Sequence, residues 1–177
     1  MHILILLIGA ISAAGIWYWR FQRARDVGTD LLDAANDVRL AARRLGFRRR
    51  TNVHPVKTVE DPRLAATGIL VALAELDGAL SQSEITAIRR ETARVFGADL
   101  AEADELLTVG RWIVAQCNGA EMAVRRLSRR LAKLSGPEVL PDLEQMADTV
   151  LRADGRDPDS RDTDAVALMR RAFGPAR

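Results

Sequence analysis

Apolar positions along this chain fall into three regimes, and each predicts a different element. Residues 3–19, ILILLIGAISAAGIWYW, are uncharged throughout and show no polar face. A helix of that length spans about 25 Å at about 1.5 Å per residue, and local thinning or snorkelling covers the shortfall from a bilayer core of about 30 Å. Residues 21–50 switch to a single stripe, Leu31, Ala35, Val38, Ala42 and Leu45, whose alternating spacings of four and three mark an amphipathic helix. Residues 51–62, TNVHPVKTVEDP, carry two prolines and no helical period, and read as an ordered linker or extended arm. From residue 63 to 177, periodic apolar segments alternate with Gly, Pro and Asp-Gly breaks, the pattern of a compact multi-helix bundle with short connections.

Within that body the spacing predicts six helices. Residues 64–76 are apolar nearly all round, as a helix surrounded by others requires, and Asp77-Gly78 stops them. Ser81-Gln82-Ser83-Glu84 spells a capping box for the second helix, which is expected to bury Ile85, Ile88, Thr92, Val95 and Phe96. Asp99 with Glu102 caps the third, with Leu106, Ile113, Val114 and Cys117 inward and Gly110 permitting close helix approach. The fourth turns Leu127, Leu131 and Leu134 inward and carries Arg125, Arg126, Arg129, Arg130 and Lys133 on its other sides. The fifth, with Leu143, Met146, Val150 and Leu151 inward, ends at Asp154-Gly155, and the last buries Val166, Met169 and Phe173. Ala, Leu and Arg dominate and β-branched alternation is missing, so the fold class is all-α.

Charge adds direction to this plan. From Arg20 to Lys57 there are 10 Lys/Arg against 4 Asp/Glu, whereas the remainder has 16 against 20, so a basic neck carries a mildly acidic body. Trp17, Tyr18 and Trp19 stand where an interfacial belt belongs, and Arg20, Arg23 and Arg25 follow at once. Residues 1–20 therefore read as a single transmembrane anchor in an inner, cytoplasmic membrane, with the N-terminus outside and the body in the cytoplasm. A cleaved signal peptide is disfavoured, because no basic region precedes the apolar run. The Arg48-Arg49-Arg50 cluster suits anionic lipid or an acidic partner, while a solvated helix end is the plainer reading and nucleic acid the least favoured. The neck stripe is either a seam for a second copy or a face that docks on the body.

The chemistry-bearing residues gather at the two Asp-Gly turns. Asp77, Glu84, Asp154, Asp157, Asp159, Asp162 and Asp164 are hard oxygen donors of the kind Ca²⁺ or Mg²⁺ takes. The spacing is not that of an EF-hand, since Gly directly follows the first Asp. The plainer and preferred reading is that the same residues are turn formers and helix caps. The single cysteine, Cys117, sits at an apolar helical position and excludes an internal disulfide. His54-Pro55 shares two residues with the J-domain tripeptide, but Val56 replaces its Asp, and His54 reads as structural or solvated.

Ala74-Glu75-Leu76-Asp77-Gly78 with Glu84, followed by Arg152-Ala153-Asp154-Gly155 with the acidic stretch to Asp164, resembles the TerB-like family. That family includes tellurite-resistance TerB proteins and the N-terminal domain of the membrane co-chaperone DjlA, here without a J-domain. The resemblance covers about residues 64–173 and implies an all-helical cytoplasmic domain, tied to stress and metal-ion responses and membrane complexes. It further implies a divalent-cation site, for which the tentative ligands are Asp77, Glu84, Asp154, Asp162 and Asp164. The second turn departs from the first, because Arg161 stands seven residues after Asp154, where Glu84 stands after Asp77.

Two functions follow as expectations. One is a non-enzymatic, membrane-anchored scaffold for protein interaction or stress response, touching lipid through anchor and neck and a protein partner, which can be a second copy, through the body. The other is a divalent-metal sensor or buffer. No nucleophile, base and oxyanion set stands out, so neither reading makes the chain an enzyme.

Overall fold

A computed structural model describes residues 53–174. The expected anchor (1–20) and neck helix (21–50) lie outside the described residues. Among the described residues there are helices and turns and no strand, as expected of an all-α bundle. No helix among them is long and apolar enough to cross a membrane.

The bundle is built around α1 (Pro62–Ala74). Asp61 caps its start by accepting from the Arg63 amide at 2.8 Å, and Pro62 occupies the first turn, where a missing N–H costs nothing. Every residue from Leu64 to Ala74 is buried, which is why its sequence has no polar face. Each fully buried Leu or Ile there is worth about 2 kcal/mol, so α1 contributes more apolar burial than its length suggests. Around it stand α2 (Gln82–Phe96), α3 (Leu100–Ala115), α4 (Ala120–Ser135), α5 (Leu140–Leu151) and α6 (Ser160–Ala172), all five in contact with α1.

Two glycines set how closely the neighbours approach. A Cβ on Gly110 of α3 would stand 3.4 Å from the Gly68 nitrogen, so α3 rests on α1 backbone to backbone. A Cβ on Gly68 would meet Leu127 Cδ1 at 3.0 Å, which places an α4 leucine in the space the missing side chain leaves. The role expected of Gly110 is thus met, with Gly68 as its counterpart. The buried hydroxyls of Thr67 and Thr92 share a hydrogen bond of 3.3 Å between α1 and α2.

Several positions differ from the helical-stripe expectation. Ile85, Val95, Phe96, Val166 and Cys117 are half-buried and pack at the margin of the core, and Leu134 is half-buried as well, because each outer helix keeps one side toward solvent. The arm from residue 53 is ordered. Pro55–Thr58 forms a 3₁₀ turn, Val56 and Val59 are buried, and Arg130 of α4 donates to the Val59 carbonyl. His54 accepts from the Val56 amide through Nδ1 at 3.3 Å, which gives it the structural role expected.

Candidate functional site

The two Asp-Gly turns are brought together by arginine. The first joins α1 to α2, and the second joins α5 to α6. Gly78 and Gly155 have φ of 152° and 83°, backbone that an L side chain rarely adopts, so each Asp-Gly pair is a turn by necessity. The capping box at Ser81 forms in full, with the Glu84 amide donating to Ser81 Oγ at 3.2 Å and the Ser81 amide donating to Glu84 Oε2 at 2.8 Å. α6 starts with a second box, in line with the reading of these carboxylates as helix caps: the Asp162 amide donates to Asp159 Oδ1 and the Asp159 amide to Asp162 Oδ2, both at 3.0 Å. The Asp162 amide first, then the Arg161 amide and the positive charges of Arg156 and Arg161, hold the Asp159 carboxyl below the usual range against the opposing effect of desolvation.

Arg156 lies between the turns. Its guanidinium donates to Asp162 Oδ2 at 2.6 Å and stands 3.3 Å from Asp77 Oδ2 and 3.8 Å from Asp154 Oδ2. The Asp162 side chain is only 2% exposed against 26% for Arg156, so the charge pair most withdrawn from water is this one. Hydrogen bonding to Asp162 raises the Arg156 pKa, with Asp77 and Asp154 adding to it, and the group stays cationic at any working pH. Its Nε is buried without a hydrogen-bond partner, held only by the longer contact to Asp154. Arg161, at the position where the second turn lacks the first turn's Glu, donates to the Leu76 carbonyl at 2.9 Å. Two arginines of the second turn therefore reach to the first.

Of the five tentative cation ligands, Asp77, Asp154 and Asp162 converge, and Arg156 is what they converge on. Glu84 is buried and spent on its cap. Asp164 is exposed and lines an open groove of about 790 Å³. That groove's rim mixes Glu75, Glu121 and Asp164 with Arg125, Arg161 and Arg171, so it selects no ligand charge. Asp157 pairs instead with Arg152 at 2.6 Å. Among the described residues no group of three or more His, Cys, Asp or Glu side chains is arranged to hold a metal ion. The donor set as it stands fits one guanidinium rather than a divalent cation that wants six or more oxygens. The arginine at the centre escaped sequence reasoning, and the one local signal was Arg161 standing where an acid was expected. Burial raises the pKa of Cys117, which disfavours the thiolate, the nucleophilic form.

An all-helical domain whose paired Asp-Gly turns follow apolar helices and precede acidic caps is the class these features define. The family described as Tellurite resistance protein TerB matches residues 63–174, more than half of the chain. The chain belongs to the TerB family. No curated protein and no solved structure matches it.

Proposed function

We propose that this TerB-family chain is a membrane-anchored, non-enzymatic module whose helical body serves as a protein-interaction or stress-response scaffold on the cytoplasmic side of the inner membrane. The observation that carries the reading is the commitment of the acidic side chains at the turns. Asp77, Asp154 and Asp162 face Arg156, while Glu84 and Asp159 satisfy backbone amides, so these carboxylates serve the joint between two helical hairpins. Anchoring rests on the uncharged residues 3–19 and the aromatic and arginine residues after them. Cross-linking of the full chain in native membranes, followed by detergent extraction, tests it. A reproducible partner, or the chain itself, supports the scaffold. Release of the chain from membranes by carbonate would overturn the anchor, and recovery of no partner from retained chain would overturn the scaffold.

The second reading, a divalent-metal sensor or buffer, is favoured by the convergence of Asp77, Asp154 and Asp162. A divalent ion there would have to displace the Arg156 guanidinium, which stands within 3.8 Å of all three carboxylates. Calorimetry with Ca²⁺, Mg²⁺, Mn²⁺ and Zn²⁺ on the full chain separates the readings. Heat and a rise in melting temperature, both lost in Asp77→Ala and Asp154→Ala, support the sensor, and the absence of both sinks it.

A further inference from the structure

The chain has only two lysines, Lys57 and Lys133, and both line one groove. It is open, about 550 Å³, and lies between the 3₁₀ turn Pro55–Thr58 and α4. Its rim is His54, Lys57, Arg126, Arg129, Arg130 and Lys133, with Val56 below and no carboxylate in the lining. Arg126, Arg129, Arg130 and Lys133 recur at spacings of three, one and three, which put them on one face of α4. Arg130 is tied to the Val59 carbonyl. Arg126, Arg129, Lys133 and Lys57 make no ion pair among the described residues, whereas Arg63, Arg89, Arg94, Arg152, Arg156 and Arg170 each pair with a carboxylate. Unpaired like charges crowded along one groove repel one another, a cost that an anionic surface relieves.

The first described residues of the chain lie at this groove. His54 is part of its rim, and in the sequence Arg48-Arg49-Arg50 stands a few residues before it, on the way to the uncharged run 3–19. Lys57 is the last residue of the basic stretch 20–57 that follows the uncharged run, so groove and neck offer the same charge to the same anionic surface. We infer that the groove formed by His54, Lys57 and the Arg126/Arg129/Lys133 face of α4 docks on anionic lipid headgroups and orients the domain against the membrane that anchors it. The inference rests on the anchored reading proposed above. Flexible ammonium and guanidinium groups on a rigid helix suit phosphate oxygens presented on a plane, the first as point charges and the second as forks.

Because both lysines report on the groove, acylation of the full chain in nanodiscs tests the docking directly. A lysine introduced at Gln82, exposed and outside the groove lining, serves as the internal reference. Addition of phosphatidylglycerol to phosphatidylcholine is expected to slow acylation of Lys57 and Lys133 relative to the reference about threefold or more, with the effect reversed by high salt. The Arg126→Glu/Arg129→Glu variant is expected to abolish that protection while leaving the melting temperature near wild type. Equal rates in neutral and anionic nanodiscs would overturn the docking, as would protection by added RNA or by a soluble acidic peptide without protection by lipid. A chain that fails to stay in the nanodisc fails the anchored reading instead, and carbonate extraction of membranes distinguishes that outcome.

Discussion

Arginine is used in two opposite ways in this domain. Around the Asp-Gly turns, Arg152, Arg156 and Arg161 all spend their charge or donors inside the molecule, on Asp148, Asp157, Asp162 and the Leu76 carbonyl. Along α4, Arg126 and Arg129 lie beside Lys133 and Lys57 with no carboxylate partner among the described residues. The contrast separates charge that builds the fold from charge that is left for a surface. Paired groups with one member out of water are costly to break, because the remaining charge stays buried; solvated unpaired groups cost nothing to remove.

The comparison can be broken at its strongest point first. Asp162→Ala removes the Arg156 partner and the cap on the Asp159 amide together, and should lower unfolding stability by about 3 kcal/mol, read from denaturant melts. Arg156→Ala leaves Asp162 buried but capped, and about 2 kcal/mol is expected. Arg161→Ala loses one exposed hydrogen bond to the first turn, worth about 0.5 kcal/mol. Arg129→Ala with Lys133→Ala should stay within about 0.5 kcal/mol of wild type. A loss there as large as at Asp162 would erase the distinction.

A pH titration sharpens the groove side of the contrast. Folding lowers the His54 pKa, through burial first and then the positive charge of Arg126, with a hydrogen bond to the Gln116 backbone opposing and Lys57 adding a little. The unfolded chain therefore binds the proton more readily, so stability is full above a pH of about 6.5 and declines as the pH falls below it. Protonation at Nδ1 would also remove the acceptor for the Val56 amide. His54→Asn keeps an acceptor there without a titrating group, and should flatten the melting temperature between about pH 7.5 and pH 5.5. An unchanged slope would assign the pH dependence elsewhere.

What was legible in the sequence was whatever is local. The apolar run of α1, the Ser81–Glu84 box, the two Asp-Gly turns and the close approach at Gly110 each depend on residues within a few positions or on one absent side chain. The Arg156 cluster is not of that kind. Arg156 lies in a polar loop indistinguishable from solvated charge, and its partner Asp77 comes from another hairpin. The Arg161 bond to Leu76 closes over 85 residues. Asp77, Asp154 and Asp162 read as ligands for a divalent cation, and in the fold all three face the Arg156 guanidinium. Half-burial of Phe96 and Leu134 was hidden for a related reason, since a helical stripe shows which face turns inward and not how many neighbours cover it.

Arg156 and Asp162 act as a unit that holds the second turn and ties it to the first. A double-mutant cycle over Arg156→Ala and Asp162→Asn, by urea unfolding of the full chain in detergent, measures that unit alone. A coupling of about 1–3 kcal/mol is expected, with the double variant less destabilised than the sum of the singles. Additive losses, within about 0.3 kcal/mol, would contradict it.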